Sequence, residues 1–98
     1  MKSLSGKIAS NTDLTQFQKK VLIATLDIPR GQTRSYAWVA RKAGSPRASR
    51  ATGRALSVNP YTPQVPCHRV IASNGSIGGY SGGIAKKKKL LKKEGVYF

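Results

Sequence analysis

Apolar residues recur at helical spacing in the first third of the chain, where Phe17, Val21, Ala24 and Ile28 fall on one face. Thr15-Gln16-Phe17-Gln18 has the form of a capping box, so the pattern predicts a helix over 16–27, ended by the turn Pro29-Arg30-Gly31. A second helix is predicted over Tyr36–Ala43, with Ser35 as its cap and Gly44 as its stop. Ser45-Pro46 reads as a cap followed by proline at the first helical position. A third helix is therefore predicted from Pro46 to about Val58, closed by Asn59-Pro60. Residues 60–66 are proline-rich and extended. Val70-Ile71-Ala72 followed by Ser73-Asn74-Gly75-Ser76 predicts a short strand and a tight turn. A glycine-dense loop over 78–83 leads into a last helix, Ile84–Lys93, with an apolar edge at Ile84 and Leu91 and a stop at Gly95. Residues 1–11 are polar and read as a loose arm. The division expected is a flexible arm over 1–14 and one folded unit over 15–98.

Two helices joined by a short glycine-containing turn, 36–43 and 46–58, form a helix-turn-helix candidate. The expected class is mainly α: a small helical, winged-helix-like domain with a short β element near 69–77. The 98 residues suffice for one domain with a modest core.

Charge narrows the function. There are 18 Lys and Arg against 3 Asp and Glu, a formal net charge of +15. Such a body attracts polyanions, nucleic acid foremost and an anionic membrane surface next. No apolar run approaches the ~20 residues of a membrane span, and the N-terminus has no apolar signal core. No membrane association and an intracellular location are expected, in the cytoplasm and nucleoid, or in a nucleus. One cysteine excludes an internal disulfide. One cysteine, one histidine and three carboxylates make a structural metal improbable, and no metal is expected.

The third helix mixes small residues (Ala48, Ala51, Thr52, Gly53, Ala55) with Arg47, Arg50 and Arg54. Small residues admit close approach, either of a neighbouring helix or of DNA, with the arginines reaching phosphates. A glycine inside a helix costs about 1 kcal/mol relative to alanine. Cys67 beside His68 is the reactive pair: a thiol reacts as its thiolate, and an imidazole can take the proton directly or through a water. Taken alone, the dipeptide favours an inert buried cysteine.

The wider set of residues resembles one family. Pro66-Cys67-His68-Arg69-Val70 is similar to the active-site signature of the O6-alkylguanine-DNA alkyltransferases, the methylated-DNA–protein-cysteine methyltransferases. Ser35-Tyr36, Arg50 and Gly53, Asn59-Pro60, Gly79-Tyr80-Ser81-Gly82-Gly83, Leu90-Leu91 and Glu94-Gly95 resemble the same family, from about Phe17 to Phe98. The resemblance implies DNA repair by direct reversal on double-stranded DNA containing O6-alkylguanine. It implies a monomer that binds the minor groove and flips out the damaged nucleotide. Arg50 would fill the vacated space in the base stack, and Tyr36 would crowd the target phosphate and donate a proton to the departing guanine. Ala48, Ala51, Gly53 and Ser73 would be further DNA contacts. Cys67 would take the alkyl group, His68 would act as base through a water, and Glu94 would orient the imidazole. Asn59 would brace the active-site loop, and Val70 and Ser81 would hold the base. The resemblance implies no cofactor and a single turnover.

Most members of that family carry a ribonuclease-like N-terminal domain, for which about sixteen residues leave no room before the first helix. The length instead resembles the alkyltransferase-like proteins, which bind alkylated guanine and flag it for excision repair. Those hold a non-nucleophilic residue, commonly tryptophan, where this chain has Cys67. A general basic DNA-binding protein is the third alternative.

Overall fold

In the first long helix the predicted capping box forms. Thr15 Oγ1 accepts from the Gln18 amide at 3.1 Å, and Gln18 Oε1 accepts from the Thr15 amide at 2.8 Å. The computed structural model describes residues 3–61, 64–80 and 82–98. In chain order these form α1 (Leu4–Ala9), α2 (Gln16–Leu26), β1 (Arg34–Ser35), α3 (Tyr36–Lys42) and α4 (Ser49–Ser57). A 3-10 turn (Cys67–Arg69), β2 (Val70–Ile71) and α5 (Ile84–Lys93) follow. The architecture is mainly helical, as the sequence predicts. Among the described residues no helix is long and apolar enough to cross a membrane.

The core is built from the expected stripe of α2 and from α3. Val21, Ala24, Ile28 and Val39 are buried, with Leu22 and Thr25 beside them, and Phe17 packs half-buried against the cluster. The Thr25 hydroxyl avoids a desolvation cost by donating to the Val21 carbonyl at 2.8 Å. Ser35 caps α3 by accepting from the Trp38 amide at 3.0 Å. Val65, Val70 and Leu91 close the core from the other side.

The structure departs from the sequence reading in three places. First, α4 starts at Ser49, not Pro46, with Ala48 as its cap at φ −101° and ψ 37°. Ser45 to Ala48 form a turn closed by the Ala48 amide on the Ser45 carbonyl at 2.9 Å, so Pro46 serves the turn between the two helices. Second, the predicted strand and turn form, but the strand's pairing partner lies far away in the chain. The bond from the Ala72 amide to the Ser76 carbonyl closes a turn, while the strand pairs in parallel with β1, Arg34 opposite Val70 and Ser35 opposite Ile71. That pairing sets the start of α3, and with it Tyr36, beside the segment that follows Cys67.

Third, the expected loose arm contains α1. Ser3 caps it, accepting from the Gly6 amide at 3.2 Å, and Ile8 is fully buried in the core. Leu4 packs against the same cluster, so an i, i+4 apolar pair was hidden among polar neighbours. Lys19 Nζ donates to the Ala9 carbonyl at 3.0 Å, and Asn11 Nδ2 donates to the Tyr61 hydroxyl at 2.8 Å. The expected outcome for Ile8→Ala is a loss of about 2–4 kcal/mol in chemical denaturation. A truly loose arm would give a change within about 0.5 kcal/mol.

Candidate functional site

Cys67 opens a single 3-10 turn after Pro66 and is buried at 5 % exposure. Its amide donates to the Val65 carbonyl at 2.8 Å. The same carbonyl accepts from Asn59 Nδ2 at 3.0 Å, and Asn59 Oδ1 accepts from the Tyr61 amide at 2.8 Å. Asn59, itself buried, thus ties the start of the loop to its end and fixes the carbonyl on which the cysteine backbone rests. The family resemblance implies a brace for this loop, and the geometry suits one.

Next to Cys67, His68 is 3 % exposed and its Nε2 lies 3.1 Å from Glu94 Oε2. Glu94 also accepts from Arg69, Oε1 from Nε at 2.9 Å and Oε2 from Nη2 at 2.7 Å, a two-pronged pair. Arg69 Nη1 donates to the Ile28 carbonyl at 2.9 Å, the end of α2. The Arg69 bonds hold the Glu94 carboxyl down at about 2 against the cost of burial. Burial holds the His68 imidazole below its ordinary value, and Glu94 only partly offsets this because Arg69 already engages that carboxylate. His68 is therefore neutral at pH 7. A carboxylate can only accept, so the network assigns the imidazole proton to Nε2. The lone pair then sits on Nδ1, which has no hydrogen-bond partner among the described residues. A neutral imidazole fixed in one tautomer is what a base beside a thiol requires.

Cys67 also lines a cavity of about 320 Å³ with Tyr36, Gly53, Leu56, Ser57, Gly79 and Tyr80. That volume is at the lower end of the range for small-molecule sites. Tyr36 reaches across from the start of α3 and donates to the Gly79 carbonyl at 3.2 Å, while burial pushes its phenol up so that the proton stays on. Gly78 passes so close to Tyr36 that an added Cβ would lie 3.0 Å from its hydroxyl, at a φ of +71°. Leu56 and Ser57, on the last turn of α4, were not singled out from the sequence. Their only signal was the i, i+3, i+4 spacing from Gly53.

Lys87 is the residue that sequence reasoning misplaced. The Lys86–Lys89 run reads as a solvated or phosphate-facing surface, yet Lys87 is 0 % exposed. Its Nζ donates to the Val70 carbonyl at 2.6 Å and the Gly79 carbonyl at 2.9 Å, and lies 5.9 Å from the centre of the Tyr36 ring. Burial pushes its ammonium down to about 8, and the thiol of Cys67 pulls in the opposite direction. One side chain thus clamps the segment after Cys67 to the glycine loop. Val70, expected to hold a base, is buried in the core with its carbonyl already engaged by this lysine.

On α4, Thr52 and Ala55 face the core, Ala48 and Gly53 are half-buried, and Arg50, Ala51 and Arg54 are exposed with Arg47 just before the helix. The core-facing small residues pack closely inside the fold, and the opposite side of the helix is open to solvent. An added Cβ at Gly53 would meet only the Tyr36 ring, at 4.0 Å, so internal packing does not demand glycine there. Ser73 is exposed in the turn after β2. Ser81 lies outside the described residues. Among the described residues no cluster of three or more His, Cys, Asp or Glu is placed to hold a metal.

Two outcomes follow. A carboxyl held at about 2 stabilises the fold above the ordinary carboxylate range near 4.5. The gain is lost as pH falls from there toward 2, roughly 3 kcal/mol in all. Glu94→Gln should flatten that part of the stability–pH curve. Lys87→Met leaves two buried carbonyls short of a donor and should cost about 1–3 kcal/mol, against about 0.5 kcal/mol or less for the exposed Lys88→Met.

Residues 16–96 match the family model for the 6-O-methylguanine DNA methyltransferase, DNA binding domain. The methylated-DNA–protein-cysteine methyltransferase of Methanosarcina acetivorans is 47 % identical over 95 residues, covering 97 % of this chain and 60 % of that protein. The crystal structure of Mycobacterium tuberculosis OGT in complex with DNA superposes with a TM-score of 0.81 at 49 % identity, over 84 % of this chain and 50 % of that one. Schizosaccharomyces pombe Atl1, solved in complex with damaged DNA containing O6-carboxymethylguanine, superposes with a TM-score of 0.75 at 35 % identity, over 85 % of this chain and 79 % of that one. The chain thus spans 60 % or less of these two methyltransferases and most of Atl1. With the Pro66–Val70 signature seated at the cavity and the match running through nearly every element, the chain belongs to the 6-O-methylguanine DNA methyltransferase DNA-binding-domain family.

Proposed function

We propose that this chain is a single-turnover DNA-repair alkyltransferase, which binds duplex DNA in the minor groove and moves the alkyl group of a flipped-out O6-alkylguanine onto Cys67. The observation that carries the reading is the placement of His68: held at Nε2 by Glu94, with Nδ1 unengaged among the described residues, next in sequence to a cysteine that lines a cavity of about 320 Å³. Residues 15–98 act as the DNA-binding and active-site unit of an intracellular monomer, and residues 1–14 brace its core through Ile8.

In the reaction the Cys67 proton passes through a water to His68 Nδ1, and Glu94 balances the imidazolium that results. The sulfur lone pair forms the S–C bond in line with the breaking C–O6 bond. The bonding pair leaves on the guanine, which takes a proton from the Tyr36 hydroxyl. The thioether has no second thiol in this chain to release it, so the protein is consumed. Asn59 and Lys87 act as positioning residues, Asn59 on the backbone of Cys67 and Lys87 on the two loops that enclose the base. The backbone around Ser81 holds the base's polar edge, and Val70, its own amide and carbonyl engaged, positions the wall behind it.

Outside the cavity, Arg50 replaces the flipped nucleotide in the stack, a role suited to a flat guanidinium. Ala51 lies on the same exposed side of α4, and the small Ala48 and Gly53 allow close approach to the groove. Ser73 contacts the backbone from its turn.

The second reading is a non-catalytic binding protein that flags alkylated guanine. The structural similarity to Atl1 favours it, and Cys67 argues against it. Intact-protein mass after incubation with a duplex containing O6-methylguanine separates the two. The expected result is a gain of one methyl group mapped to Cys67 and absent in Cys67→Ala. Arg50→Ala should slow the transfer about 10–100-fold, about 1.4–2.7 kcal/mol of lost transition-state stabilisation, by losing base extrusion. Tight, lesion-selective binding with no mass gain would make the chain a flagging protein.

A further inference from the structure

The outer face of α5 is a run of unmatched charge. Lys86, Lys88, Lys89, Lys92 and Lys93 are all exposed, five of the ten residues of the helix. The whole chain offers three carboxylates. Asp27 pairs with Lys42 at 2.8 Å, Glu94 is taken by Arg69 and His68, and among the described residues no ion pair reaches these lysines. Lys86 and Lys89, Lys88 and Lys92, and Lys89 and Lys93 stand three or four positions apart, where like charges destabilise a helix. Among the described residues no acidic side chain offsets this, and only Lys92 and Lys93, in the last turn, gain from the helix dipole. The helix persists because Leu91 and Lys87 anchor its inner side.

The charge lies away from the site already described. None of these five lysines lines the cavity over Cys67, and none belongs to α4. Beside them a concave surface is formed by Lys88, Lys89 and Lys92 with Val96, Tyr97 and Phe98. The face carries no arginine, so it lacks the fixed donor forks that read base edges. Flexible ammonium groups in a row instead suit the evenly spaced phosphates of a nucleic-acid backbone, where each contact releases a counterion.

We propose that this face of α5 is a second DNA-contact surface, which takes the phosphate backbone of duplex DNA away from the lesion pocket. It rests on the alkyltransferase reading for the choice of DNA over another polyanion. A second contact on a polymer already held by α4 gains from effective concentration, which an unrelated anion would not. The surface carries no sequence information and would hold the protein on undamaged DNA between lesions.

The experiment compares the wild type with a variant carrying Lys86→Gln, Lys88→Gln, Lys89→Gln, Lys92→Gln and Lys93→Gln, and with the matching five-fold Lys→Arg variant. Affinity for a long undamaged duplex is measured against salt, and methyl gain at Cys67 is measured separately with a short lesion duplex at saturation. The expected result is a log–log salt slope about 3 or more smaller in the Gln variant and restored in the Arg variant, at about 0.9 per phosphate contact. Methyl gain at saturation stays unchanged, and the melting temperature of the Gln variant rises as the repulsion is removed. The single change Lys92→Glu, which cannot unfold the helix by exposing its core side, should lower the slope by about 1 or more. An unchanged slope in the Gln variant and in Lys92→Glu overturns the proposal. So does an unchanged slope with lost binding to phosphatidylserine vesicles, which would make the face a membrane surface. A reduced slope with no methyl gain in the wild type would keep the surface and sink the alkyltransferase reading instead.

Discussion

The two-pronged pair between Arg69 and Glu94 is the contact on which the rest of this small protein hangs. Arg69 belongs to the turn that carries Cys67, Glu94 caps the end of α5, and the third arm of the guanidinium holds the end of α2 through the Ile28 carbonyl. Three segments distant in sequence therefore meet at one planar side chain. The same carboxylate fixes His68. Removing either partner would leave a charge in a mostly buried position, which costs far more than an exposed pair contributes. Because Arg69 engages the carboxylate so fully, His68 is held in place without being driven to the imidazolium. Geometry and protonation state come from one interaction.

That economy matters in a chain with so few acids. With 18 basic residues against 3 acidic ones, the fold tolerates its charge by keeping most cations in water and burying one. Lys87 is the exception, and two backbone carbonyls, not a carboxylate, receive it. The arrangement joins the loop after Cys67 to the glycine loop at the cavity wall. Gly79 then accepts from both Lys87 and Tyr36, so the segment after Cys67, the tyrosine and the loop share one hydrogen-bonded frame. The positive charge left on the surface runs over several elements and is densest on α5, facing outward where a polyanion can meet it.

Much of the fold was legible because local rules agreed with the tertiary structure. The capping box at Thr15, the Ser35 cap, the stop at Gly44 and the full extent of α5 follow from residue type and position. What was not legible depends on partners far away in the chain. Two-residue strands carry no period, so the pairing of Arg34–Ser35 with Val70–Ile71 left no trace in the pattern. Leu4 and Ile8 are too few to mark a helix against polar neighbours. Lys87 differs from its neighbours Lys86, Lys88 and Lys89 only in which way the helix turns it. The cluster at the site was legible mainly as a family signature. That Cys67, His68 and Glu94 could act together was implied by the family resemblance, while the tautomer of His68 and the service of Asn59 to the Cys67 backbone needed coordinates.

The account makes His68 the base that prepares Cys67, and the pH dependence of single-turnover transfer from an O6-methylguanine duplex tests this most directly. A neutral, buried imidazole predicts a rate that is flat across neutral pH and falls only below the ordinary histidine value of about 6.5. Glu94→Gln, which removes the carboxylate that orients the ring, should lower the plateau. A rate that climbs tenfold per pH unit through neutrality toward the ordinary thiol range near 8.5, unchanged by Glu94→Gln, would contradict it. Cys67 would then act without His68.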